Sequence, residues 1–216
     1  MRRFPRIDSP YVLDADGLEA EPDGTVNWER VFARPYPLRI EVGVGNSPFL
    51  IEVAKLEPDF NYLGFEYSNK RLAKFLKKVA RAEIDIIRAS RLNAIPTIRD
   101  CVRDGEVDHF FVNFPDPWPK RRHAKKRFVQ DAIIEVVSGK LRTGGGISLR
   151  TDVAGYARQM VEVLERSPNL RNLTGPGGFA DEPRYGFRTP FELKFLEEGK
   201  PIYYLEYGKI DAHDTA

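Results

Sequence analysis

From residue 38 to residue 165, short runs rich in β-branched and aromatic residues alternate with longer segments whose apolar positions recur at helical spacing. A chain patterned this way has few options. Strands joined through helices run parallel, and a parallel sheet has to be covered on both faces. The spacing predicts strands over 38–42, 61–65, 84–87, 107–112 and 147–150. It predicts helices over 48–56, from Ser68 onward, and over 95–102, 128–141 and 156–165. Pro48 suits a first helical turn and Ser47 is its candidate cap. In the helix after Ser68, the residues Leu72, Ala73, Phe75, Leu76, Val79 and Ala80 fall on one face. Gly144, Gly145 and Gly146 read as the end of the 128–141 helix. Runs at 191–195 and 202–207, separated by Glu197, Glu198, Gly199 and Lys200, read as a closing antiparallel hairpin. The fold class is therefore α/β: a mostly parallel sheet, helices on both faces, and a C-terminal antiparallel hairpin. Residues 1–35 are polar, carry Asp-Gly pairs at 16–17 and 23–24, and read as an irregular arm with one short helix over 28–32. Residues 36–210 form the domain and 211–216 a flexible tail.

The strand at 107–112 leads into Asn113-Phe114-Pro115-Asp116-Pro117-Trp118-Pro119-Lys120. Three prolines fix φ and restrict the residues before them, so this stretch is a stiff loop at a strand end. Ligands of open α/β sheets bind outside the carboxyl ends of the strands. The loop offers an acid, an aromatic ring and then cations: residues 120–127 hold six Lys or Arg, one His and no acid. Such a patch is a candidate phosphate footprint, although the net charge of the 216-residue chain is only +2. The alternative is a tight turn followed by a solvated charged face. Cys101 is the single cysteine, which rules out an internal disulfide, suits a reducing cytoplasm and reads as packing. No apolar run approaches the roughly 20 residues of a membrane span. Met1-Arg2-Arg3-Phe4-Pro5 lacks the apolar core of a secretory signal.

Glu41-Val42-Gly43-Val44-Gly45-Asn46 closes the first predicted strand. The glycines permit a tight turn and close approach of a ligand to the backbone. A dinucleotide fingerprint would place its third glycine at 48, which is proline, so a nicotinamide dehydrogenase is disfavoured. An acid just ahead of the glycines is instead typical of S-adenosylmethionine sites. Glu66 ends the second strand about 20 residues later, where a carboxylate accepts from both ribose hydroxyls. Its alternative role is a surface glutamate capping the next helix. Asn93 follows the third strand, where a side-chain amide meets an adenine edge.

Taken in order, Glu41/Gly43/Gly45, Gly64/Glu66, the 113–127 segment, Thr151-Asp152 and Thr189-Pro190-Phe191-Glu192 resemble the tRNA (guanine-N7-)-methyltransferase family. The resemblance runs from about residue 38 to 207. The Asp-Pro-Trp-Pro-Lys segment is its specific part, whereas the glycine turn is shared by many methyltransferases. It implies a cytoplasmic enzyme of Rossmann-like class I methyltransferase fold. The implied reaction moves a methyl from S-adenosylmethionine to N7 of a guanine in the tRNA variable loop, at tRNA position 46. Carried over by the resemblance, Glu41, Gly43, Gly45, Glu66, Asn93 and Asp116 line the cofactor, with Asp116 also facing the transferred methyl as the catalytic residue. Lys120, Arg122, His123, Lys125, Lys126, Arg127, Asp152, Thr189, Pro190, Phe191 and Glu192 hold the tRNA. No metal and no membrane is implied, and the protein is expected as a monomer or homodimer. Two departures stand out: Ser47 replaces a frequent glycine, and Asn93 replaces a frequent aspartate. Two other readings stay open: a non-catalytic RNA-binding protein using the same basic patch, and a methyltransferase acting on DNA, protein or a small molecule.

Overall fold

The computed structural model describes residues 7–14 and 18–210, together with the backbone but not the side chain of Arg121. The Asp16–Gly17 pair, the first six residues and the expected tail at 211–216 lie outside the described residues. In chain order the elements are β1 (Val12–Leu13), α1 (Trp28–Phe32), β2 (Leu38–Val42), α2 (Phe49–Leu56), β3 (Asn61–Phe65), α3 (Asn69–Arg81), β4 (Ile87–Ser90), α4 (Ala94–Cys101) and β5 (Val107–Asn113). A 3₁₀ helix (Arg121–Lys126) follows, then α5 (Asp131–Lys140), β6 (Leu141–Thr151), α6 (Ala154–Glu165), β7 (Leu170–Asn172), α7 (Pro190–Glu197) and β8 (Tyr203–Lys209).

Among the described residues the strands form one sheet in the order β1-β4-β3-β2-β5-β6-β8-β7. Pairing is parallel from β1 to β6, and β8 runs antiparallel to both β6 and β7. The expected fold class holds. The strand order reverses at β2 and β5, so the crevice outside their carboxyl ends is the ligand position of a sheet wound this way. Each face is covered. Ile40, Leu63, Phe110, Val112, Ile147 and Leu149 pack on one side against α1, α4, α5 and α6. Phe111 joins Phe49, Leu50, Val53, Leu72, Phe75, Leu76 and Val79 of α2 and α3 on the other. The arm contributes to this body: β1 extends the sheet at β4, and Val26, Trp28 and Phe32 are buried.

Four expected elements are corrected. The third strand lies at Ile87–Ser90, three residues beyond the apolar run at 84–87, because pairing Tyr62 with Ile87 and Phe65 with Ser90 brings its end level with β3. The 128–141 helix is shorter and starts at Asp131, since Gln130 stays extended and Val129 is buried. Gly144, Gly145 and Gly146 do not end a helix. They lie inside β6, where the register jumps from Val107–Leu141 to His109–Gly146. A Cβ on Gly145 would stand 2.6 Å from the Asp108 carbonyl oxygen, and one on Gly146 2.7 Å from that of Tyr207. Gly145 and Gly146 are required because neighbouring backbones close in on a bulge, and Gly144 takes a φ of +75°. The run at 191–195 is helical, not a strand, so the antiparallel partner of β8 at that edge is β7.

The reason for the helix is a capping box. Thr189 Oγ1 accepts from Glu192 N at 3.1 Å, the Glu192 carboxylate accepts from Thr189 N at 3.2 Å, and Pro190 occupies the first turn. Glu192 is fully buried, and its carboxylate also accepts from Arg150 at 2.8 Å and from the Tyr204 hydroxyl at 2.5 Å. We expect Glu192→Ala to destabilise the fold by roughly 3–5 kcal/mol, because it strands the buried Arg150 charge. Urea unfolding checks this, and a midpoint matching the parent would contradict it.

Candidate active site

The carboxyl ends of β2, β3, β4 and β5 carry Glu41 and its glycine turn, Glu66, Asn93 and the Asp116 loop, respectively. The turn is shaped by the backbone. Gly43 and Gly45 sit at φ +87° and +57°, conformations that favour glycine. Gly43 N and Val44 N both donate to the Phe65 carbonyl, at 2.8 and 3.0 Å, which draws the turn against the end of β3. Ser47 Oγ accepts from Phe49 N at 3.2 Å and so helps to start α2. From α3, the Lys78 ammonium donates to the Asn46 carbonyl.

Glu41 is buried at the reversal point. Asn113 of β5 donates to its Oε1 at 2.8 Å, while its Oε2 has no partner among the described residues. Burial raises its pKa to about 7, against the Asn113 hydrogen bond and the positive charge of Arg150, which both favour ionisation. A buried carboxylate oxygen without a donor marks a place where a ligand donor fits. Glu66 is also buried, and it divides its carboxylate. Oε1 accepts from Ser68 N at 2.7 Å, supporting the start of α3, while Oε2 faces Gly45, 4.0 Å from where a Cβ would stand. The helix-capping reading of this residue thus has its oxygen in Oε1. Gly64, one strand position earlier, leaves room for the turn: a Cβ there would come within 2.6 Å of Val44 Cγ1. Asn93 occupies the cap position of α4 yet makes no capping hydrogen bond, and it is exposed.

Beyond β5 the stiff loop is as predicted. Phe114 and Trp118 take φ of +51° and +41°, unusual for bulky residues and therefore in need of outside support. That support is visible. Phe114 N donates to the Arg150 carbonyl at 2.9 Å, and the Phe114 ring meets Phe195 of α7 edge-on, 5.7 Å between centroids. Arg127 Nε donates to the Pro117 carbonyl at 2.8 Å, and its guanidinium lies 5.0 Å from the centre of the Tyr156 ring. Asp116 itself is exposed at the loop's crest.

The basic run therefore divides. Lys120, Arg122 and Lys125 are exposed, and the Lys126 ammonium stands 4.7 Å above Trp118. His123 meets the same ring edge-on, whereas Arg127 is committed to the loop. Asp152 is half-buried just past β6. Thr189 and Glu192 point inward, into the cap and the ion pair, while Pro190 and Phe191 are exposed. Sequence reasoning missed Arg150, Asn113 and Lys78 as site residues. Only Asn113 had a signal, its place at the end of a buried strand beside the loop.

A family model described as "Putative methyltransferase" matches residues 35–205. The tRNA (guanine-N(7)-)-methyltransferase of Alkalilimnicola ehrlichii is 37% identical over 198 residues, spanning 90% of this chain and 82% of the relative. That of Saccharophagus degradans is 33% identical over 181 residues, 84% of this chain and 79% of the relative. In structure, the 30S ribosomal A1408 methyltransferase from an uncultured bacterium superimposes with a TM-score of 0.56 at 14% identity, covering 89% of this chain and 98% of that one, which establishes the fold. Fold and crevice define the class: S-adenosylmethionine-dependent methyltransferases of Rossmann-like architecture. Within that class the chain belongs to the tRNA (guanine-N7-)-methyltransferase family. The residues present fit the cofactor, since the crevice offers open space at Gly43, a Glu66 carboxylate beside Gly45 and, at Glu41 Oε2, a buried oxygen that has no partner among the described residues.

Glu41 makes the protein alone pH-sensitive. Its folded pKa lies above the unfolded value of 4.5, so between pH 4.5 and about 7 the folded state binds more protons. Stability then falls as pH rises through that window, by on the order of 3 kcal/mol in all. Glu41→Gln lacks this dependence. The unfolding free energy of the parent minus that of the variant is expected to drop by this amount from pH 4 to pH 8, measured without cofactor; a flat difference would contradict the burial argument.

Proposed function

We propose that this protein methylates N7 of guanine 46 in the variable loop of tRNA. The observation that carries the reading is the braced Asp116 loop, which leaves β5 beside the Glu41 turn of β2 at the sheet's reversal point. Family membership supplies the substrate class, and its relatives bear that activity in their names.

Glu41, the 43–45 turn, Glu66 and Asn93 hold S-adenosylmethionine, with the Glu41 and Glu66 carboxylates accepting from the cofactor's donors. When bound, the cofactor supplies a sulfonium methyl open to in-line displacement. Guanine N7 carries a lone pair and no proton, so this chain needs no general base, and positioning dominates the rate enhancement. As the purine ring becomes cationic, the Asp116 carboxylate stabilises the developing charge. Other carboxylates of the site suit the guanine N1 and N2 hydrogens as acceptors. Lys120, Arg122, Lys125 and Lys126 bind phosphates and set the register of the tRNA without reading sequence. Phe191, exposed at the start of α7, and Asp152 face the same substrate. Glu192 and Thr189 serve it indirectly, by fixing α7.

The primary test is methyl transfer from labelled cofactor to unmodified tRNA, followed by mapping of 7-methylguanosine. Label at any site other than guanine 46 overturns the positional reading. Glu66→Ala is expected to weaken cofactor binding by roughly 2–3 kcal/mol, the scale of hydrogen bonds to a charged acceptor. Calorimetry that finds the parent's affinity removes the ribose assignment. Asp116→Asn keeps the fold and most tRNA affinity but lowers the single-turnover rate by roughly 10²-fold. A near-parental rate with both substrates saturating would reduce Asp116 to scaffolding.

A further inference from the structure

Helix α3 carries six cations in thirteen residues, Lys70, Arg71, Lys74, Lys77, Lys78 and Arg81, and no acid. The surrounding stretch from Tyr67 to Ala82 is also free of acids, in a chain whose Lys and Arg exceed its Asp and Glu by only two. At 3.6 residues per turn, Lys70, Lys74, Lys77 and Arg81 fall in one narrow stripe, with Arg71 beside it. All five are exposed, and none of them forms an ion pair among the described residues.

Stability does not account for this pattern. Lys70 and Arg71 sit in the first turn, where the helix dipole disfavours positive charge, and the turn holds no acid. Lys70–Lys74 and Lys77–Arg81 are like-charge pairs at i,i+4, which repel. The fold retains an arrangement that its own electrostatics oppose, and a polyanion lying along the stripe reverses both penalties. A basic amphipathic helix is also the pattern of a membrane-surface element. Here the apolar side is already used, because Leu72, Phe75, Leu76 and Val79 are 0–2% exposed in the core. No face is left to insert into lipid.

The stripe is tied to the crevice. Helix α3 begins three residues after Glu66, with Ser68 as its cap, and Lys78 reaches the Asn46 carbonyl of the glycine turn. From Lys70 to Arg81 the helix rises about 16 Å, several times the roughly 3.4 Å rise per phosphate of one duplex strand.

We infer that the exposed cations of α3 form a second tRNA phosphate-binding surface, separate from residues 120–127 and anchored to the cofactor turn. This rests on the tRNA reading above. It assigns to the tRNA a footprint that extends from the Asp116 loop across the crevice and along α3. The contact is one of charge, so it supplies affinity and salt dependence and carries no base recognition.

The test is the full-length triple variant Lys74→Gln, Lys77→Gln, Arg81→Gln, compared with a Lys74→Arg, Lys77→Arg double variant. Removing like charges from one helix face relieves repulsion, so the triple variant is expected to fold. Its circular dichroism and cofactor affinity should match the parent. The Kd for unmodified tRNA is expected to rise roughly tenfold near 0.15 M salt, with the log–log salt slope falling by about 2 to 3. The arginine variant should bind like the parent. If the parent binds and methylates tRNA while the triple variant keeps its affinity and slope, the inference fails and the proposed function stands. If the parent neither binds nor methylates tRNA, both fail. Vesicles containing phosphatidylserine form the last arm. Loss of vesicle binding in the triple variant with tRNA affinity unchanged assigns the stripe to a membrane surface and overturns the inference.

Discussion

Arg150 and Glu192 meet with almost no access to water, at 3% and 0% side-chain exposure. Burying two full charges costs several kcal/mol each, and their attraction offsets this only if the remaining donors and acceptors are also satisfied. That requirement organises the rim of the sheet. Arg150 donates its second contact to the Phe187 carbonyl, and Glu192 accepts from Tyr204 and from its own cap. The long connection from β7 to α7 is thereby pinned over the sheet, and α7 takes one position. Phe195 of α7 then meets Phe114, and the backbone carbonyl of Arg150 receives Phe114 N. The Asp116 loop is built on those contacts. The same guanidinium also acts on Glu41. One buried ion pair thus couples α7, the Asp116 loop and the Glu41 turn.

Elements whose boundaries are set locally were legible in the sequence. The strands at 38–42 and 61–65 and the short helix at 28–32 stand where the pattern put them, because apolar run, cap and turn residues agree there. The failures have two causes, tertiary contacts that override local appearance and a local capping signature read only as a family motif. Three consecutive glycines look like a helix stop, but Gly145 and Gly146 let the Asp108 and Tyr207 backbone approach β6. The run at 191–195 has strand composition, yet the capping box and the buried carboxylate of Glu192 make it a helix. Thr-x-x-Glu was visible as a family motif, and its reach into the core was not, since no local rule connects Glu192 to Arg150, 42 positions away.

The candidate site was legible to the same extent. Glu41, Gly43, Gly45 and Glu66 gather at adjacent strand ends because the α/β pattern dictates where strand ends go. The basic run was read as uniform, and it is not. Its last member, Arg127, is an internal brace, whereas Lys120, Arg122 and Lys125 face solvent. A row of cations in a sequence does not say which of them are bound to the protein's own carbonyls. Nor did the 120–127 run, acid-free and conspicuous, reveal α3, where equal charge is spread at helical intervals among core residues.

The chemistry explains why rigidity is invested where it is. A nucleophile without a proton asks nothing of a base, so the enzyme gains rate by holding two reactants in line. Misplacement is then the main way to lose rate, and the loop that carries Asp116 is correspondingly over-determined. Prolines flank the acid, two bulky residues are held at positive φ, and anchors arrive from Arg150, Phe195 and Arg127. Positive φ at Phe114 and Trp118 is a conformation the loop does not hold unaided. The surrounding contacts supply the difference and hold the loop backbone on either side of Asp116. Phosphate contacts need no such accuracy, since a point charge attracts from many directions. In the proposed function they fall to the exposed Lys120, Arg122 and Lys125, on a surface where accuracy would only cost side-chain entropy.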